Sequence, residues 1–270
     1  MATMLFHVDA FTRVPFRGNP AAVVLLDDVR EDDWLQAVAA EMNVSETAFA
    51  LAFGDGTFAL RWFTPTSEVP LCGHATLATA AVLLGEKVVE DRVVFRTPSG
   101  ELTVERAGAA LAMSLPAYAV EPFAAPAIVA ALGVVATDVQ LSRESQNLLV
   151  RVASEEELIE ARPAREALLA AVHPDVSGVI VTSEGARTGA PTAPHFVSRY
   201  FAPWIGIDED PVTGSAHAVL GPYWAARLGR TKLLAAQRSK RGGDLGVEVA
   251  GDRVIVTGSC VVLSRGVWAD

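Results

Sequence analysis

Glu46 lies in Asn43-Val44-Ser45-Glu46-Thr47, where a helical pattern gives way to a strand-like one. Alternation puts it on the side of Val44, Ala48 and Ala50, an apolar setting. Desolvation there raises a carboxyl pKa and suits the group to taking up and returning a proton. The competing reading is a helix N-cap box, Asn43-x-x-Glu46, although a cap needs a helix behind it and these residues continue as strand. Gly73-His74 and Gly214-Ser215 each open a small, apolar, alanine-rich run. Free N–H groups and the positive dipole end of a helix start suit an anion such as a substrate carboxylate. Plain capping explains the same residues, since serine caps well and glycine lets the backbone turn. Cys72 is either an acid/base or nucleophilic thiol or a small buried hydrophobe. Asp208 and Glu209 suit the dipole of the helix that follows. Asp210, four residues before Gly214, is also placed to reach an anion site. Gly18-Asn19-Pro20 is a turn first and a binding element, through Asn19, second.

The elements that must carry these residues come in two similar sets. Arg61-Trp62-Phe63 ends a strand, Pro65 and Pro70 punctuate a turn, and Ala75 to Leu84 is apolar on nearly every face, interrupted only by Thr76 and Thr79. A helix apolar all round is a buried helix, and Gly85 stops this one. Arg199-Tyr200-Phe201-Ala202-Pro203 repeats Arg61-Trp62-Phe63-Thr64-Pro65. Gly214-Ser215-Ala216 repeats Gly73-His74-Ala75 with three extra residues in the intervening loop, and His217 to Leu228 is a second apolar run, stopped by Gly229. Gly243-Asp244-Leu245-Gly246-Val247-Glu248 echoes Gly100-Glu101-Leu102-Thr103-Val104-Glu105. Matched blocks in one order predict an internal duplication, two domains each built round one buried helix. Domains that faced each other would bring both helix starts to one cleft.

Short strands are expected at 5–11, 21–26, 47–53, 57–63, 93–96, 102–106 and 111–115 in the first half. The second half offers 147–152, 178–182, 195–201, 245–249, 253–257 and 260–263. Helical spacing covers 32–42 and 127–132, an acidic helix starts near Ser154, and 184–193 is loop. Pro116 to Pro126, with three prolines, is the expected linker between domains 1–115 and 116–258. Many short strands round one apolar helix predict an α+β fold of two pseudo-symmetric domains, each a β-barrel wrapped round a central helix. A parallel βαβ sheet is disfavoured, because regular helical crossovers are missing.

Composition narrows the function. A length of 270 residues, 51% of them hydrophobic, supplies two sizeable cores. A net charge of −10 argues against nucleic acid, whose binding needs a basic surface. Five histidines without metal-ligand spacing suggest no metal, and two cysteines give no disulfide framework. Neither a signal peptide nor a membrane-length apolar run is visible, so the expectation is a soluble, cytoplasmic protein.

Four stretches together resemble the phenazine-biosynthesis PhzF-like isomerases: Phe16 to Val23, Asn43 to Thr47, Glu68 to Thr76, and Glu209 to Ala216. Gln237 to Gly243 followed by Leu245 resembles the family's late block, and the likeness is nearest to the phenazine biosynthesis-like domain-containing proteins. The resemblance implies the diaminopimelate epimerase fold, with the active site between two barrels and 259–270 returning to the first. It implies isomerisation of trans-2,3-dihydro-3-hydroxyanthranilate by proton movement, without cofactor or metal. Glu46 matches the family's general acid/base; His74, Asp210 and Ser215 match assisting residues, with N–H groups at Gly73 and Gly214 holding the carboxylate. Related epimerases and racemases use a cysteine from each domain. Cys72 occupies the first such position, but the second falls on Pro211, which carries no transferable proton.

The leading expectation is therefore a cofactor-independent isomerase of a small carboxylate-bearing substrate, a homodimer by resemblance. The alternatives are a racemase or epimerase using Cys72 with a non-cysteine partner, and a member that binds a metabolite or protein without turnover.

Overall fold

A computed structural model describes residues 3–186, 188 and 190–268. Arg187 and Gly189, within the loop expected over 184–193, fall outside the described residues. One compact unit runs to Ser114 and takes up the chain again from Thr257; the other is Leu115–Val256.

The first unit contains β1 (Met4–Ala10), β2 (Asn19–Leu26), α1 (Asp32–Met42), β3 (Glu46–Ala52), β4 (Thr57–Phe63), β5 (Glu68–Val69), α2 (Gly73–Gly85), β6 (Arg92–Thr97) and β7 (Gly100–Ala107). β8 (Ala110–Pro116) follows, and the final strand, β18 (Cys260–Val267), pairs with β1. From β1 the order is β1–β2 antiparallel, β2–β3 parallel, β3–β4 antiparallel, β4–β6 parallel and β6–β7 antiparallel. The sheet is thus mixed, with α1 and α2 carrying the two parallel connections.

α2 packs against β1, β2, β3, β6, β7 and β18. Burial all round is possible because its two threonines are satisfied within the helix: the Thr76 hydroxyl donates to the Cys72 carbonyl (2.6 Å) and that of Thr79 to Ala75 (2.7 Å). α1 instead buries one face, setting Leu35, Val38 and Ala39 against Val24, Phe49 and Phe63. Gly258 has no room for a side chain, since a Cβ there would lie 2.3 Å from the Phe11 ring and 3.1 Å from Leu77 of α2.

The second unit holds β9 (Glu121–Pro122), α3 (Pro126–Leu132), β10 (Asp138–Ser142), β11 (Asn147–Arg151), α4 (Glu155–Glu160), α5 (Arg165–Ala170) and β12 (Gly178–Glu184). It continues through β13 (Phe196–Ala202), β14 (Ile207–Asp210), α6 (Ala216–Leu228), β15 (Lys232–Gln237), β16 (Gly243–Ala250) and β17 (Arg253–Gly258). β10–β11 is antiparallel, β11–β12 parallel, β12–β13 antiparallel, β13–β15 parallel and β15–β16 antiparallel. This repeats the first unit's alternation strand for strand, with β5 and β14 both appended as hairpins to the strand before them.

The repeat extends to side chains. Arg61 holds Glu68 through paired bonds of 2.7 and 2.9 Å, and Arg199 holds Glu209 through bonds of 2.7 and 3.0 Å. Each guanidinium also lies over the phenylalanine two residues on, at 5.1 Å for Phe63 and 4.9 Å for Phe201. α6 tolerates Pro222 because the Ala218 carbonyl, which loses its helical donor there, accepts instead from the Tyr118 N–H at 3.0 Å. The expected linker is partly structured, containing β9 and leading into α3.

Candidate active site

β2 and β3 are parallel neighbours, with Ala21 beside Glu46, so both strands begin at one end of the sheet. Asn19 opens β2, Glu46 opens β3, and Gly73 and His74 open α2 against them. His74 joins the set. Its Nδ1 lies 3.1 Å from the Asn19 side-chain amide and 3.5 Å from the Cys72 sulfur, and its Nε2 lies 3.2 Å from a Glu46 carboxylate oxygen. All four residues are buried, Asn19 completely and Glu46, Cys72 and His74 at 5–7% exposure.

Burial pushes the His74 pKa down, and the nearby Glu46 charge and a Pro20 backbone contact only partly oppose it. The ring is therefore neutral near pH 7. With the Asn19 amide assigned as donor to Nδ1, the ring hydrogen sits on Nε2, the nitrogen 3.2 Å from the Glu46 carboxylate. A carboxylate against a neutral, oriented imidazole is an arrangement that can relay a proton. Beside it, the first hydrogen bond of α2 runs from Thr76 N to Cys72 O (3.1 Å), so the N–H groups of Gly73, His74 and Ala75 precede the helical ladder. They supply the anion-attracting end of the helix.

The second unit builds its counterpart at α6. Asp210 ends β14, is buried, and accepts a short hydrogen bond from the Thr213 hydroxyl. Gln237 ends β15 and ties this turn together. Its side-chain oxygen accepts from Thr213 N (2.9 Å), while its nitrogen donates to the Asp210 carbonyl (2.8 Å) and to Thr213 Oγ1 (3.3 Å). Burial raises the Tyr200 phenol well above its usual range, and the Asp210 charge adds to the effect. Gly214 is buried, and Ser215 precedes α6 without a side-chain capping bond.

Several readings of the sequence change here. Glu46 is no helix cap: Asn43 ends α1 in the left-handed conformation (φ 47°), and Glu46 starts a strand. Simple capping fails for Ser215 as well. Asp208 and Glu209 are strand residues in ion pairs, with Arg165 and Arg199, rather than charges serving the helix dipole. Asn19 is brought to His74, 55 residues away. Thr213 and Gln237 were missed as supports of Asp210. The signal was a glutamine closing the apolar run Leu233 to Ala236, which pays off only if the side chain is bonded.

The Phenazine biosynthesis-like (PhzC-PhzF) family description matches residues 8–266. The chain belongs to this family. It is 46% identical over 276 residues to an uncharacterized isomerase of Pseudomonas aeruginosa, covering 98% of both chains. It is 43% identical over 284 residues to the human phenazine biosynthesis-like domain-containing protein, covering 98% of this chain and 99% of the relative. A crystal structure of a PhzF-family phenazine biosynthesis protein from Enterococcus faecalis superposes with a TM-score of 0.89 at 40% identity, covering 98% of each chain. The fold is accordingly that of the PhzF and diaminopimelate epimerase-like proteins, and the family is isomerase-like. Among the described residues, no helix is long and apolar enough to cross a membrane. Both cysteines of this PhzC-PhzF member, Cys72 and Cys260, lie in the first unit, so a thiol pair with one member from each unit is not available.

Proposed function

We propose that this protein is a cofactor-independent isomerase that moves a proton on a small carboxylate-bearing substrate, of the kind represented by trans-2,3-dihydro-3-hydroxyanthranilate. The observation that carries the reading is the buried contact of Glu46 with His74 at 3.2 Å, beside the open N–H groups of α2. Glu46 removes a proton from a carbon acidified by its neighbours and returns it to another. His74 accepts or supplies hydrogen-bonding charge as the carboxylate loses and regains its own. The N–H groups at Gly73 hold the substrate carboxylate, with the dipole of α2 favouring negative charge. Gly214 and Ser215 are assigned to the same reaction because they stand at the start of α6 as Gly73 and His74 stand at the start of α2, and Asp210 is assigned with them as the buried carboxylate of that turn.

The test is turnover without additions. Wild-type protein, treated with chelator, is incubated with a panel of small amino and hydroxy acids that includes trans-2,3-dihydro-3-hydroxyanthranilate. Positional isomers detected by NMR support the reading; products appearing only after a redox cofactor is supplied contradict it.

A second reading is favoured by the Cys72 sulfur lying 3.5 Å from His74: a racemase or epimerase in which the thiol takes the proton. Inversion at a single carbon, abolished by Cys72→Ala and retained by Glu46→Gln, would identify it.

A further inference from the structure

Glu46, Cys72 and His74 are the described cluster in which three metal-capable side chains converge, their donor atoms all within 4.8 Å of one another. We infer that this cluster is a binding site for zinc, in which the ion is held by the Cys72 thiolate, His74 Nε2 and a Glu46 carboxylate oxygen. Binding stands on those donors alone. Its consequence, that the ion blocks proton transfer by Glu46, rests on the isomerase reading above.

Geometry comes first. Zinc–nitrogen and zinc–oxygen bonds of ~2.0 Å and a zinc–sulfur bond of ~2.3 Å set tetrahedral edges of roughly 3.3 Å between nitrogen and oxygen and roughly 3.6 Å between nitrogen and sulfur. Here Nε2 lies 3.2 Å from the Glu46 oxygen and 4.0 Å from the Cys72 sulfur. The sulfur also lies 3.5 Å from Nδ1, so the Cys72 side chain must turn toward Nε2 to close the set.

Charge gives the second argument. All three side chains are buried, where an unbalanced ion is costly. A thiolate and a carboxylate offset the two positive charges of zinc, so the filled site is neutral. On binding, the thiol releases its proton to solvent as the sulfur–metal bond forms. The donor set also selects the ion: sulfur and imidazole favour zinc over the oxygen-seeking magnesium and calcium. Asn19, at 3.1 Å from the opposite ring nitrogen, orients the imidazole; turned about its amide, its oxygen accepts the Nδ1 hydrogen once Nε2 holds metal. Three protein ligands leave a fourth position for water.

Cys260 is the internal control. It lies in β18, and burial pushes its thiol up to about 12, away from the thiolate form a metal needs. Full-length protein, stripped with chelator, is titrated with zinc against a chromophoric chelator and, separately, with cobalt(II). The inference predicts one zinc per chain and a thiolate-to-cobalt charge-transfer band. Cys72→Ser removes the band and weakens zinc by more than the ~10–100-fold that loss of an outer-shell partner costs. Cys260→Ser changes neither. Glu46→Gln keeps the sulfur band but binds zinc more weakly. An absent band in the wild type, or one that survives Cys72→Ser, overturns the inference. The readout is optical, so a zinc site confirmed in a protein without turnover would leave binding intact and refute only the isomerase reading.

Discussion

His74 faces a different partner on each side of its ring, so the two contacts have separable effects. Asn19 touches Nδ1, away from the carboxylate, and orients the imidazole. Asn19→Ala is expected to lower kcat about 100-fold through misplacement of the ring while leaving KM within a few-fold. Steady-state kinetics on the substrate found by the panel checks this, and a KM rise with unchanged kcat would make Asn19 a substrate contact instead. Gln237 acts in the same manner at Asp210, through the turn it fastens rather than through the carboxylate itself.

At the level of elements, the duplicated arginine clamps differ in burial, and their energetics follow. Arg61 and Glu68 are about one-third exposed, whereas the Arg199 side chain is 11% exposed and also donates to the Leu158 and Ala161 carbonyls. Arg199→Ala removes both bonds to Glu209 and the side-chain donor to the Leu158 carbonyl, leaving the Ala161 carbonyl to Arg162 alone, and is expected to cost about 3 kcal/mol, against ~1 kcal/mol or less for Arg61→Ala. Urea unfolding of both variants measures the difference; equal losses would show that burial of the second clamp adds nothing. The helices α1, α2 and α6 were legible because their apolar patterns are local. β14 and β15 were not. Ile207-Asp208-Glu209-Asp210 is too charged to read as strand, and only pairing with β13 and the Arg199 clamp makes it one. Lys232 to Gln237 has helix-forming Leu-Leu-Ala-Ala at its centre, overridden by its pairings with β13 and β16. The site was legible as residue types and helix starts. The approach of Asn19 and Glu46 to His74 depends on the parallel β2–β3 register, which no local pattern encodes.

At the scale of the whole molecule, stability should depend on pH through His217. Its ring is wholly buried in α6, donates from Nδ1 to the Thr213 carbonyl (2.9 Å), and lies against Phe196. Burial lowers its pKa from 6.5 to about 4. The folded chain then binds fewer protons than the unfolded one between those values, so stability is full above the unfolded pKa and falls as pH drops. The difference from this residue is about 2 kcal/mol between about pH 8 and about pH 5. Urea unfolding at both pH values should show this loss in the wild type and a smaller one in His217→Leu; an unchanged pH dependence in the variant would remove His217 as its source. Glu46 and His74, in the first unit, are buried as well. The most direct measurement is solvent deuterium uptake by substrate in heavy water, comparing wild type with Glu46→Gln. The account predicts uptake at the carbon that receives the proton and a loss of about 10²–10⁴-fold in the variant. Uptake at the wild-type rate in Glu46→Gln would contradict it.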